Sequence, residues 1–215
     1  METVGTAYRK NSGILGEYDA IVIGSGMGGL SAASMLAQQG KRVLLLEQHN
    51  VIGGMTQAYT RKGYRWTVGM HYIGDVGSKQ ATGWKLFNYV TGGGLEGKPM
   101  PDVFNRMSIG DRYYDIPSGV EAYANLLKEH FPHEAEGIDK YVALISKVTR
   151  SSGGYFAQKA MPAAAVEGAY DDMCEEFHAY SDRITLDVLS ELISDKELIA
   201  VICANYGDYS LEPTR

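Results

Sequence analysis

The chain has 215 residues, with 20 Lys and Arg against 26 Asp and Glu, which gives a formal net charge of −6. Its hydrophobic content of 45% and charged content of 21% are ordinary for a globular protein and exclude disorder of the whole chain. The acidic balance argues against a nucleic-acid partner, because an acidic surface repels phosphate backbones.

The first elements of the chain predict a βαβ unit. Residues 1–17 are polar and of mixed charge, and we expect them to form a flexible tail. Tyr18–Gly24 and Arg42–Glu47 are apolar runs that predict two buried strands. Met27–Gln39 is rich in small residues and is followed by Gly40, which predicts a helix that ends at a glycine. Because one helix makes the short crossover between them, the two strands should be parallel.

The rest of the chain predicts a hairpin and then mostly helical segments. The predicted elements are a loop over Val51–Thr60, a strand over Gly63–Val68, a helix over Ser78–Val90, a hairpin of Val103–Ile109 with Arg112–Ile116, and helices over 118–130, 132–150 and 194–204. Capping-box patterns at Ser118–Glu121 and Ser194–Glu197 would begin two of these helices. The pair Gly153-Gly154 predicts a break between helices.

A glycine-rich turn follows the first strand and matches the pattern G-x-G-x-x-G at Gly24, Gly26 and Gly29. Gly24 would permit the tight turn, Gly26 would let a pyrophosphate approach the backbone, and Gly29 would let helix and strand pack closely. The N-terminal amides of the helix would then face the phosphates. The turn therefore predicts a dinucleotide-binding site.

Two further features refine the expected cofactor. Glu47 ends the second strand, 21 residues after Gly26, where a carboxylate can accept hydrogen bonds from both hydroxyls of an adenosine ribose. The charge of Glu47 would repel a 2′-phosphate, which disfavours an NADP-type adenosine. The alternative is that Glu47 is a surface acid at the end of a strand and binds no ribose. Gly53-Gly54 would let the chain pass close over a long cofactor, which favours FAD over NAD, whereas an ordinary turn is the alternative.

These segments together resemble a known family. Tyr18–Gly54, Gly63-Tyr64 and Gly69–Gly74 are similar to the flavin-dependent phytoene desaturase, carotenoid isomerase and retinol saturase group of the flavin amine oxidase superfamily. Gly69–Gly74, which reads Gly-Met-His-Tyr-Ile-Gly, is most similar to the retinol saturase branch. The resemblance covers about residues 18–77, with a weaker match at Gly207-Asp208-Tyr209. It implies that FAD is held by Gly24, Ser25, Gly26, Met27, Gly28, Gly29, Glu47, Gln48, Gly53, Gly54, Met55 and Thr56.

The resemblance also gives two candidates for catalysis, His71 and Tyr72, since the matching segment lies near the flavin ring in those enzymes. A histidine there could orient a substrate or pass a proton, and the alternative is that His71 packs under the cofactor and bonds the backbone. Met55 stands where many members of the superfamily have arginine, which disfavours the amine oxidases proper. His49 is expected in a surface loop, and His130, His133 and His178 fall in predicted helices without ligand spacing, so we expect no metal.

A cluster of aromatic residues follows Gly53-Gly54. It could line a tunnel for a long apolar substrate, and the alternative is that it packs in a core. Its members are Tyr64, Trp66, Tyr72, Trp84, Phe87 and Tyr89.

We therefore expect an α/β protein, with an FAD-binding Rossmann-like βαβ domain over 18–77 and a hairpin and mostly helical substrate region over 78–215. The expected function is an FAD-dependent oxidoreductase acting on carbon–carbon bonds of a carotenoid, retinoid or similar isoprenoid. The alternatives are an amine oxidase-type FAD oxidase and a non-catalytic lipid-binding relative of the same fold. The expected partners are an apolar small molecule and, for such a substrate, peripheral contact with a membrane surface.

The length and the ends of the chain carry two more expectations. A doubly wound sheet needs five or six strands, and only two buried parallel strands are evident, so we expect the N-terminal portion of a longer flavoenzyme that binds flavin weakly without its C-terminal part. Met1–Glu17 has no apolar segment typical of a secretory signal, and Cys174 and Cys203 have no metal or redox spacing. These features predict a cytoplasmic protein that is not secreted.

Overall fold

The computed structural model of the chain describes residues 16–70, 72–162, 165, 171–209 and 212–214, with the backbone alone for 171–173 and 208–209. The chain divides into two compact units, Met1–Pro99 and Met100–Arg215. The domain boundary expected after residue 77 therefore lies inside the first unit, and the assignment of 78–215 to a substrate region stays a prediction.

The first unit begins with the expected βαβ arrangement. Strand β1 (Ala20–Ile23) is followed by helix α1 (Met27–Gln38) and strand β2 (Val43–Leu46). The two strands are parallel, with register from Ala20 opposite Val43 to Ile23 opposite Leu46, which confirms the predicted crossover. The amide of Gly24 extends the ladder by donating to the carbonyl of Leu46 at 2.7 Å.

The prediction that both strands are buried is wrong. Val22 faces α1, because its side chain lies 3.5 Å from the position that a Cβ on Gly29 would take. Neighbouring side chains of a strand point to opposite faces, and Ile21 and Ile23 on the other face are 61% and 85% exposed. In the described part of the chain the sheet has two strands, and one helix covers one of its faces.

A hairpin follows within the first unit. A single 3₁₀ turn (Gly54–Thr56) leads into β3 (Ala58–Arg61), which pairs antiparallel with β4 (Tyr64–Thr67) through a Lys62-Gly63 turn. Both turn residues have positive φ, 52° and 81°, which gives the turn the twist that two-residue hairpins favour. The segment predicted as a loop over Val51–Thr60 therefore ends in a strand. The sequence does not predict this strand, because a Lys-Gly turn lacks the usual Asn-Gly or Asp-Gly signal of a hairpin.

Helix α2 (Thr82–Val90) is shorter than the predicted Ser78–Val90 and packs against α1. Two side chains of α1 make this contact. The Ser34 hydroxyl donates to the carbonyl of Val90 at 2.5 Å, and the Gln38 amide donates to the carbonyl of Tyr89 at 2.9 Å.

The second unit opens with the predicted hairpin, β5 (Val103–Ile109) and β6 (Arg112–Pro117), and continues in helices. The helical elements are α3 (Val120–His130), a 3₁₀ turn (Pro132–Glu134), α4 (Ala135–Ala160), α5 (Asp171–Ser181), α6 (Thr185–Leu192), α7 (Lys196–Cys203) and a final 3₁₀ turn (Tyr206–Tyr209). Across the described ranges, no helix combines the length and apolarity needed to span a bilayer. The largest fully buried side chains of this unit are Tyr114, Leu127, Ile138, Leu198 and Val201.

Three details of these helices differ from the predictions. Helix α3 is preceded by Gly119 rather than by a capping Ser118, and no side chain caps it. Helix α7 is capped by Asp195 rather than Ser194: the Asp195 carboxylate accepts from the amides of Glu197 and Leu198 at 2.8 and 3.1 Å. Helix α4 runs through Gly153-Gly154, because its packing against α5 and α6 outweighs a cost of about 1 kcal/mol for each glycine.

Glu134 ties the start of α4 to the junction before α7. Its side chain is 8% exposed, and its Oε1 accepts from the amide and hydroxyl of Ser194 at 2.8 and 2.5 Å and from the amide of Asp195 at 2.7 Å. Replacing Glu134 with alanine would leave these donors unpaired, so we expect the free energy of unfolding to fall by roughly 1–3 kcal/mol. Urea denaturation measures this loss, and Glu136→Ala, at a largely exposed side chain, is the matched control.

The loss of unfolding free energy caused by Glu134→Ala should also depend on pH. The Ser194 hydroxyl first, and then the backbone amides, hold the pKa of Glu134 below its ordinary value of 4.5. A carboxylate with a lowered folded pKa stabilises above the unfolded pKa and loses that contribution as pH falls through the folded pKa. The gap between wild type and Glu134→Ala should therefore be full near neutrality and shrink in acid. A gap that is constant down to acid pH would contradict this assignment.

Candidate dinucleotide site

The glycine-rich turn lies between β1 and α1 and contains two positions that only glycine fits. Gly24 has a φ of +94°, in the left-handed region that other residues rarely adopt. A Cβ on Gly29 would lie 2.0 Å from the carbonyl oxygen of Gly24, so this residue has no room for any side chain. The first and third glycines of the pattern therefore shape the turn and bring α1 onto β1.

Gly26 differs from both, because it borders open space. No atom lies within 4 Å of the position that its Cβ would occupy, and its backbone is extended, with φ −66° and ψ 176°. It precedes the first turn of α1, where no side chain caps the helix and no acidic residue stands. The amides of that turn have no acceptor within the helix. The turn can therefore receive an anionic group, and the helix dipole favours it there.

Glu47 stands just after β2 and faces the turn. Its Oε2 accepts from the amide and the hydroxyl of Ser25 at 2.7 and 2.5 Å, and its Oε1 accepts from the amide of His49 at 2.8 Å. These hydrogen bonds, that of the Ser25 hydroxyl first, lower the pKa of Glu47 from 4.5 to about 2. The carboxylate is therefore charged at any ordinary pH, and a 2′-phosphate beside it would be repelled.

The double-glycine loop packs on the turn rather than standing away from it. Gly53 has a φ of +114°, and its amide donates to the carbonyl of Ser25 at 3.0 Å and to the Ser25 hydroxyl at 3.2 Å. A Cβ on Gly54 would lie 3.0 Å from the Cα of Gly26. The structure thus brings the glycine turn, the strand-end acid and the double glycine together.

Other residues expected to hold the cofactor lie at the border of this group. Gln48 is exposed, Met55 is 68% exposed, and the Thr56 hydroxyl donates to the carbonyl of Gly53 at 2.7 Å. Thr56 therefore stabilises its own loop in this structure. A contact of these side chains with a cofactor stays a prediction.

The roles of the two catalytic candidates are not tested by this arrangement. His71 lies outside the described residues, and Tyr72 is 43% exposed, so their roles stay predictions. Among the six clustered aromatics none is buried: Tyr64, Trp66, Tyr72 and Tyr89 are exposed, while Trp84 and Phe87 are half-buried. These side chains therefore do not form a packed core. Within the described ranges, no three His, Cys, Asp or Glu side chains converge as metal ligands would.

The sequence did not predict that a side chain would join the three parts of the site. That side chain is Ser25, which is fully buried although the surrounding strands are not. The signal available was a hydroxyl residue between the first two glycines of the turn, close to an acid at the next strand end. Hydroxyl groups that both donate and accept suit such a junction.

A cavity of about 600 Å³ lies among the helices of the second unit. Most of its lining is apolar, with Leu144, Val148, Phe177 and Ile202 among the residues around it. Burial raises the pKa of the Cys203 thiol on its wall, which keeps this group neutral. The volume falls within the range of small-molecule pockets, and the lining also includes the charged residues Arg183 and Glu212.

Comparison with known proteins identifies the domain and the relatives that the chain resembles. The model of the NAD(P)-binding Rossmann-like domain matches residues 22–90, within the first unit. The all-trans-retinol 13,14-reductase of Danio rerio is 34% identical over 205 residues, 92% of this chain and 34% of the relative. The chloroplastic prolycopene isomerase of Daucus carota is 34% identical over 151 residues, 65% of this chain and 22% of the relative.

A further relative from Danio rerio, named an inactive all-trans-retinol 13,14-reductase, is 27% identical over 196 residues, 87% of this chain and 32% of the relative. The chain thus spans about a third of the length of the reductases that it matches. The predicted dinucleotide-binding Rossmann-like domain is confirmed.

Proposed function

This chain belongs to the retinol saturase and carotenoid isomerase-like oxidoreductases, and from that premise we propose that it functions in an FAD-dependent oxidoreductase acting on carbon–carbon double bonds of a polyene or related isoprenoid. The observation that carries the proposal is the junction of the glycine turn, the charged Glu47 and the double-glycine loop. FAD, when bound, would supply the hydride chemistry. The protein's part is to bind and orient it.

Each part of the junction fits one portion of FAD. The open space at Gly26 and the uncapped first turn of α1 suit the pyrophosphate. The carboxylate of Glu47 suits the adenosine ribose and disfavours a 2′-phosphate. Gly53-Gly54 lies against the turn, where further main-chain donors could face a long cofactor.

The choice of substrate rests on two supports. The relatives are named for retinol and prolycopene, which are both long conjugated molecules. The second unit has a cavity with an apolar lining that suits such a compound. An amine oxidase-type activity has less support, since Met55 replaces the arginine common in that branch. A non-catalytic carrier remains the second candidate because one relative is named inactive.

The first experiment titrates the purified chain with FAD and follows flavin fluorescence, with ADP and NADP as competitors. We expect weak but saturable binding that ADP displaces and NADP displaces poorly, because Glu47 repels the 2′-phosphate. Circular dichroism on the same sample shows that the chain is folded. A folded chain that does not bind FAD would rule the proposal out.

The second experiment addresses the substrate. The flavin-loaded protein, with its flavin either oxidised or reduced beforehand by dithionite, is incubated with all-trans-retinol, prolycopene or a primary amine, and the products are separated by chromatography. Conversion of a polyene supports the proposal, and conversion of the amine alone supports the oxidase alternative. A flavoprotein that binds the polyene and converts none of the three fits the carrier.

A further inference from the structure

The hairpin of β3 and β4 carries aromatic and basic side chains together on one face. Tyr59 lies opposite Trp66 in the ladder, and the next pair on the same face is Arg61 with Tyr64. Together with Lys62 of the turn, these side chains line a recess of about 250 Å³. Three aromatic rings and two cations therefore border one surface, which we call the hairpin face.

The side chains of the hairpin face are too exposed to belong to a core. Tyr59, Trp66 and Tyr64 are 50%, 53% and 70% exposed. Arg61 and Lys62 beside them are exposed as well. Large apolar groups that lie together on a surface mark a site of interaction, whereas single exposed ones are ordinary.

The same hairpin is a basic segment of an acidic chain. Residues 48–74 contain Arg61, Lys62 and Arg65 but no Asp or Glu, although the whole chain has a net charge of −6. Over the ranges that the structure describes, none of these three side chains forms an ion pair. Their charges are therefore available to an anionic partner.

We propose that the hairpin face is a contact surface for a bilayer with anionic headgroups. Tryptophan and tyrosine rings favour the boundary between headgroups and hydrocarbon, because one end of each side chain is apolar and the other is polar. Lysine and arginine can keep their aliphatic stems beside such rings while their charges reach anionic headgroups. The hairpin face combines both kinds of side chain.

A single-stranded nucleic acid also binds cations and aromatic rings, so the observations on the hairpin face alone do not separate it from a bilayer. The choice of a bilayer rests on the proposed function, since a long apolar polyene partitions from water into membranes. A surface contact beside the first unit would bring the protein to its substrate.

The first test measures flotation of the folded chain with vesicles of phosphatidylcholine and phosphatidylserine, mixed about four to one, and with vesicles of phosphatidylcholine alone. We expect tighter binding to the anionic vesicles, and the difference should shrink as salt is added. Lys62→Ala should weaken binding to the anionic vesicles by roughly fivefold. Lys98→Ala, the same change at an exposed lysine outside the hairpin, should leave the affinity nearly unchanged.

The aromatic part of the contact has its own matched pair. Tyr64→Ala should weaken binding to both kinds of vesicle by roughly fivefold, because it removes apolar surface that the bilayer would cover. Tyr89→Ala is the control, at a tyrosine of α2 that is 48% exposed. It should bind as the wild-type chain does.

Two tryptophans allow the contact to be located directly. Trp66 lies in the hairpin and Trp84 in α2, and the chain has no others. Trp84→Phe leaves Trp66 as the only fluorescent tryptophan, and brominated phosphatidylcholine in the vesicles should quench its emission. Trp66→Phe leaves Trp84, whose emission should stay unquenched. Circular dichroism checks the fold of every variant.

The outcomes separate the inference from its alternatives and from the proposed function. Vesicle binding that Lys62→Ala and Tyr64→Ala leave unchanged, or that quenches Trp84 as strongly as Trp66, would place the contact elsewhere and overturn the inference. Binding of a single-stranded oligonucleotide but of no vesicle would also overturn it. A folded chain that binds FAD and no vesicle rejects the inference alone, whereas a chain that binds vesicles through the hairpin face and no FAD rejects the proposed function alone.

Discussion

Replacing Gly26 with valine should weaken dinucleotide binding strongly while changing the stability of the chain by no more than about 1 kcal/mol. A Cβ on Gly26 would have no atom beyond its chain neighbours within 4 Å, and the backbone angles of Gly26 suit any residue. The valine side chain would, however, fill the open space before α1 that the pyrophosphate needs. Losing two or more phosphate hydrogen bonds should weaken ADP and FAD by roughly a hundredfold.

A control with the same change is available at Gly97. This residue also borders open space, has no positive φ and lies outside the turn. Gly97→Val should therefore keep both the stability and the nucleotide affinity of the wild-type chain. Calorimetric titration with ADP measures the affinity, and urea denaturation measures the stability. Unchanged binding by Gly26→Val would mean that the pyrophosphate does not lie at this turn.

Replacing Gly29 with alanine should act on stability instead of affinity and unfold the first unit. The added Cβ would lie 2.0 Å from the carbonyl oxygen of Gly24 and 3.1 Å from its carbon. Both are backbone atoms, so no side-chain rotation relieves the collision, and α1 must move off β1. We expect a cost of about 3 kcal/mol or more, which is a large share of the stability of a small unit.

The neighbouring glycine gives the matched comparison. Gly28 lies in the same first turn of α1, yet nothing stands within 4 Å of its Cβ position. Alanine is the better helix former by about 1 kcal/mol, so Gly28→Ala should be neutral or stabilising. Hydrogen exchange of the β1 and β2 amides reports on the unit directly. Equal protection in the two variants would be evidence against the close packing at Gly29.

The parts of this fold that sequence predicts well are those with local signals. The β1–α1–β2 unit follows from a strand, three spaced glycines and a second strand, and the Gly110-Asp111 turn predicts the hairpin of β5 and β6. These patterns specify the backbone directly. The dinucleotide turn could be predicted for the same reason, since each of its glycines is required by contacts with residues nearby in the chain.

The sequence-based predictions are wrong where contacts between residues far apart in the chain determine the local structure. Helix α4 runs through Gly153-Gly154 because other helices pack along it. Asp195 rather than Ser194 caps α7, since Ser194 is held by Glu134, 60 residues earlier in the chain. The role of Ser25 likewise depends on Glu47 and Gly53, which only the folded chain brings to it. A propensity scale contains none of this information.

The exposed face of the first sheet, which carries Ile21 and Ile23, affects binding measurements with apolar compounds. These side chains are among the most exposed aliphatic groups of the described chain, and retinoids or carotenoids in water adsorb to bare hydrocarbon of this kind. Every titration with such a compound will therefore include a non-saturating background from the sheet. The part of the signal that saturates, and not the total bound, is the measure of a specific site.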